Sequence, residues 1–110
     1  MSVNLEIYQK FVTLLELLSD DISENLLDAP GLRQSLIELK QYFVKEIASL
    51  TDLNSRQQSY HTEMSKQLRL LELDITFLQG AKKPETIQTR VNNIKERLNT
   101  LVSFCQAMIN

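Results

Sequence analysis

A single cysteine, Cys105, leaves this 110-residue chain no internal disulfide and no thiolate-rich metal site, which points to a reducing compartment. Two glycines and two prolines are too few for the many tight turns of a sandwich, a barrel or a doubly wound sheet. Few turns mean few, long elements. Charge of one sign is also lacking: 12 Lys and Arg against 14 Asp and Glu give a net charge of −2, so no positive field waits for a polyphosphate chain. Nucleic acid is not an expected partner. No apolar run approaches the ~18 residues of a membrane span, so no membrane insertion is expected. The N-terminus has no charged stretch followed by an apolar one, so no signal peptide is expected and the location reads as cytoplasmic. The length suits one helical domain, residues 1–110.

What the chain does have is helical periodicity. Ile87, Val91, Ile94, Leu98, Leu101, Cys105 and Met108 follow at spacings of four and three, one narrow seam of a helix. Pro84 suits its first turn, and Gly80 sits where the preceding helix would take a left-handed cap. That preceding segment, from about Ser55 to Gln79, repeats the spacing with Tyr60, Met64, Leu68, Leu71, Ile75 and Leu78. Upstream, Leu32, Leu36, Leu39, Phe43, Ile47 and Leu50 do the same, with Asp28 as N-cap and Pro30 inside the first turn. The first segment, Ser2 to Asn25, spreads Tyr8, Phe11, Leu14, Leu15, Leu18 and Ile22 over a wide arc, so it is expected to be the most buried.

Thr51 to Ser55 is the weakest boundary, with N-caps and turn formers but no Gly or Pro. A break there gives four helices of matched length and an all-α, antiparallel four-helix bundle. The alternative is three helices with a long continuous second one from about 30 to 79. Such a rod would leave seams that only a second chain could cover, and it would be dimeric. Charge divides unevenly: residues 1–55 hold 4 Lys and Arg against 9 Asp and Glu, and residues 56–110 hold 8 against 5. Either an acidic hairpin packs on a basic one, or the two ends attract another molecule.

Residues for chemistry are sparse. His61 is the only imidazole, and neither a Glu-x-x-His pair nor a Pro-Cys-x-x-Cys follows to complete a metal site. Met64, one turn from His61, cannot reach the opposite side of a haem iron. Cys105 has Leu101, Val102, Met108 and Ile109 as helical neighbours, so it reads as core. Asp20, Asp21, Glu24 and Asp28 read as a solvated helix end, and Lys82-Lys83 is too small a basic cluster for nucleic acid. No Gly-rich loop is present to cradle phosphate. No catalytic residue, metal or cofactor is expected, and the protein is not expected to be an enzyme.

Surplus apolar surface remains. Taking Leu68 as zero, Leu70, Leu73 and Phe77 stand at about 200°, 140° and 180°, whereas the seam of Met64, Leu71, Ile75 and Leu78 falls at about 280–340°. This second stripe is edged by Lys66, Arg69 and Glu72, an apolar centre with a charged rim. A weaker one, Ile37, Val44 and Ala48, lies in the second segment. Lys66, Arg69, Leu70, Leu73 and Phe77 are the candidate partner-binding residues. The bland alternative is that neighbouring helices cover both stripes.

The run Glu63 to Gln79, with an opening Tyr8-Gln9-Lys10-Phe11 and a close Leu98-Asn99-Thr100-Leu101, resembles the small cyanobacterial PatD proteins that control heterocyst frequency. The resemblance covers essentially the full length, and its shared run is an amphipathic helix. It implies a non-catalytic cytoplasmic regulator of differentiation whose protein partner is the tubulin-like division protein FtsZ. The competing reading is a structural homo-oligomeric adaptor, in which the same stripe closes a homodimer.

Overall fold

Capping chemistry sets where the helices start. The computed structural model describes the backbone of residues 2–24 and 28–109, with side chains from residue 5. Helix α1 spans Ser2–Ser23; Asn25, to which the sequence extends it, lies outside the described residues. Asp28 is extended, and its carboxylate accepts the Gly31 N–H at 2.8 Å, opening α2 (Ala29–Tyr42) with Pro30 in the first turn. The helix then widens into one π turn, Phe43–Ile47, where the Ala48 N–H donates to the Phe43 carbonyl at 2.8 Å. The expected regular helix to Leu50 therefore stops short, with Phe43 and Ile47 both buried by the wider turn.

The break after Leu50 is present, so the continuous rod does not form. Asp52 takes the left-handed conformation at φ 60°, which no helix interior accommodates. Asn54 then starts α3 (Ser55–Gly80) with a reciprocal capping box: its side chain accepts the Gln57 N–H at 2.8 Å, and the Gln57 side chain accepts the Asn54 N–H at 2.9 Å. At the other end the expected left-handed cap at Gly80 is not formed. Gly80 keeps a negative φ, the Ala81 N–H reaches back to the Leu78 carbonyl at 3.1 Å, and an extended Ala81 turns the chain toward α4 (Pro84–Ile109). Satisfying that carbonyl directly removes the need for a left-handed residue.

The four helices form an antiparallel bundle, 46 × 21 × 21 Å, in which α4 packs closely on α1 and α3, and α2 bridges α1 and α3 on the other side. Thus α1 and α3 occupy diagonal corners. Phe11 and Leu15 of α1, Ile47 of the π turn, Met64, Leu71 and Ile75 of α3, and Ile94, Leu98, Leu101 and Cys105 of α4 are enclosed. Burying each large aliphatic side chain contributes about 1.5–3 kcal/mol. Helix α1 is no more buried than the others, contrary to expectation. Among its described side chains Tyr8, Phe11, Leu15 and Leu18 are enclosed, Leu14 and Ile22 are half-covered, and Leu17 faces water, because α1 packs extensively on α4, less on α2 and its π turn, and meets the diagonal α3 through Tyr8 and His61. Among the described residues, no helix is long and apolar enough to cross a membrane.

Candidate protein-docking site

The capping box fixes the rotational start of α3, and the core seam then fixes which side of it faces water. Leu73 and Phe77 lie on that side, 47% and 51% exposed, while Leu70 is half-buried beside them. The core seam is complete without the two exposed residues. Lys66 and Arg69 are exposed, as their position on the rim requires. They do not sit with Leu73 and Phe77 in one pocket. Instead they meet His61, Thr62 and Ser65 of α3 and Phe43 and Ala48 of the π-turn region in an open groove of about 510 Å³. The π turn therefore forms one wall of the groove. Ile37 of α2 and Val44 of the π turn, from the weaker stripe, are exposed as well, 45% and 65%.

Two groups at this face escaped the sequence reading. The Arg90 guanidinium of α4 lies over the Phe77 ring, 4.8 Å from its centroid, and adds a third cation at the Phe77 end of the stripe, about two to three turns along α3 from Arg69 and Lys66. A hairpin centred on residue 82 would set residue 87, not 90, opposite residue 77, so spacing alone carried no signal for this pairing. The second group is a buried ion pair: Asp74, 6% exposed, accepts from Arg97 Nε of α4, and Arg97 Nη1 donates to Gln67 Oε1 at 3.2 Å. Its signal was a carboxylate three residues after the core residue Leu71, turned toward a neighbour.

Two of the three acids of α3 are paired with bases of neighbouring helices. Glu72 pairs with Lys40 of α2 at 3.0 Å, Asp74 pairs with Arg97, and Glu63 is half-buried. Of these acids, Glu72 keeps a substantially exposed side chain, 46%, and its charge is met by Lys40. Neither ion pair joins an acid of the first half to a base of the second, as packing of an acidic hairpin on a basic one would require. Lys40 is a base of the acidic half, and Glu72 and Asp74 are acids of the basic half, so the unpaired remainder is more lopsided than the sequence itself.

His61 closes the inner end of the groove. Its Nε2 lies 2.6 Å from the Tyr8 hydroxyl, and we assign the phenol as donor, which leaves the ring proton on Nδ1. Burial lowers the His61 pKa and raises that of Tyr8 to about 12, the latter with a smaller push from Cys105. Cys105 is enclosed, and burial pushes its thiol up to about 12, so it is no nucleophile at neutral pH. Among the described residues, no three of His, Cys, Asp and Glu come together where they could hold a metal.

Fold and surface together define the class: an antiparallel four-helix bundle that carries an exposed apolar stripe on one helix. The chain belongs to the CRR41 C-terminal domain family, whose model matches residues 6–105. No curated protein and no solved structure matches it.

Proposed function

We propose that the chain is a non-catalytic regulatory binding module that presents Leu70, Leu73 and Phe77 of α3 to a protein partner and changes that partner's assembly. The observation that supports this is the half-exposed state of Leu73 and Phe77 beside a core seam already closed by Met64, Leu71 and Ile75. Large apolar side chains clustered on a charged-rimmed helix suit a helix-in-groove contact. The resemblance to PatD proteins adds heterocyst control in the cytoplasm and names the tubulin-like division protein as the first partner to test. The experiment is the double variant Leu73→Asp/Phe77→Asp, captured on that partner beside the wild type. A folded double variant that loses binding supports the reading, and a variant that unfolds, or one that binds as well as wild type, ends it.

A further inference from the structure

We propose that the outer face of α3 docks an acidic amphipathic helix of another protein, with the visitor's apolar residues on Leu70, Leu73 and Phe77 and its carboxylates on Lys66, Arg69 and Arg90. This rests on the docking reading above and specifies the partner's chemistry. Three observations carry it. First, Asp74 is held by Arg97, Glu72 is neutralised by Lys40 although its side chain stays 46% exposed, and Glu63 is half-buried. Lys66 and Arg69, by contrast, are exposed and have no ion-pair partner among the described residues, so the free charge on the rim of the stripe is positive. Second, neither ion pair found among the described residues engages Lys66, Arg69 or Arg90, so the charge of these three side chains is left for something outside the fold. Third, Lys66 and Arg69 border an open groove whose other lining groups are His61, two hydroxyls and the apolar Phe43 and Ala48, with no carboxylate among them.

The same features disfavour the other occupants. Three cations, two on α3 and one on α4, form too small a patch for a lipid surface or a nucleic acid, whose binding grows with the number of phosphates neutralised. A second copy would have to offer an acidic face, and α1 is the candidate, with Glu6, Glu16 and Asp20 exposed. That face carries Leu17 alone among exposed large apolar residues, a poor match for a three-residue stripe. It also lies diagonally across the bundle from α3, so such a contact would not close and would run on into chains.

The test uses the full chain, isotope-labelled for NMR, and two synthetic helical peptides of about 18 residues, long enough for five turns. Both carry leucines along one face; one is flanked by glutamates, the other by lysines at the same positions. The acidic peptide is expected to move resonances of residues 66–77 and to bind about 10-fold more tightly than the basic one at low salt, with the preference lost at about 1 M salt. The double variant Lys66→Glu/Arg69→Glu, its fold checked by circular dichroism, should reverse the preference. Equal affinity for both peptides on this face would overturn the inference while leaving the docking surface in place. Binding of neither would remove both. Tighter binding to phosphatidylserine vesicles than to the acidic peptide, or self-association at tens of micromolar that Leu73→Asp abolishes, would assign the face to a membrane or to a second copy and would equally overturn it.

Discussion

The Tyr8 hydroxyl and His61 Nε2, 2.6 Å apart, tie the two diagonal helices of the bundle together, a link that neither α1 nor α3 makes through extensive packing. The contact needs a neutral imidazole to accept the phenol proton, and burial depresses the His61 pKa below its ordinary value of 6.5. The unfolded chain therefore takes up a proton as pH falls below about 6.5, while the folded chain does not until lower pH. Stability from this group is fully present above pH 6.5 and is lost as pH falls through the window between 6.5 and the folded value. Urea midpoints measured from pH 7.5 to pH 5 should fall in wild type and fall less in His61→Gln. Equal slopes in the two proteins would show that the imidazole carries no such linkage.

Gly80 is the last residue of α3 with a negative φ, and a Cβ built on it meets nothing within 4 Å. Glycine there has the entropic cost of a flexible residue without the left-handed conformation that would justify it. Gly80→Ala should therefore raise stability by about 0.5–1 kcal/mol, read as a higher thermal or urea midpoint. A loss of stability would mean that the helix end relies on a conformation alanine cannot adopt.

Seams and breaks of this fold were legible because they depend on local chemistry and on a period of 3.6. Asp28, Pro30 and Pro84 each occupy the capping or first-turn position that their side chains dictate. Rotation around each helix was legible too: positions 73 and 77 face water, and the seam at 64, 71 and 75 faces inward. What could not be read was choice among equivalent local solutions. The chain after Gly80 turns through an extended Ala81, and the second helix widens at Phe43 to Ile47, because tertiary packing selects those geometries. Cross-helix partners such as Arg90 over Phe77 and Arg97 on Asp74 depend on register across a hairpin, which composition and periodicity within one helix do not specify.

Asp74 and Arg97 join α3 to α4 beside the core, with the Asp74 side chain 9% exposed and that of Arg97 30%. Removing one partner of a buried pair strands the other charge, although water can still reach the guanidinium here. Asp74→Ala is expected to cost about 2 kcal/mol, less than the 3–5 kcal/mol of a fully buried pair. Replacing both with apolar residues, Asp74→Leu/Arg97→Met, should restore stability to within about 1 kcal/mol of wild type, because no charge is then left unpaired. Chemical denaturation of Asp74→Leu, Arg97→Met and the double variant gives the coupling directly. Additive losses would show that the two side chains do not act as a pair.

Leu71 and Leu73 are two residues apart on α3, yet Leu71 is fully enclosed and Leu73 is 47% exposed. Truncating Leu71 to alanine removes contacts on all sides and leaves a cavity among Met64, Ile75 and their neighbours, a change that costs about 2–5 kcal/mol. Leu73→Ala removes a side chain that water already touches and should stay within about 0.5 kcal/mol of wild type. A thermal midpoint measured for each separates the two. If Leu73→Ala proves nearly as costly as Leu71→Ala, then Leu73 belongs to the core in solution, and the exposed stripe on which a docking role depends is not there. If the difference is as large as expected, Leu73 is not part of the core and stays available for the docking contact proposed above.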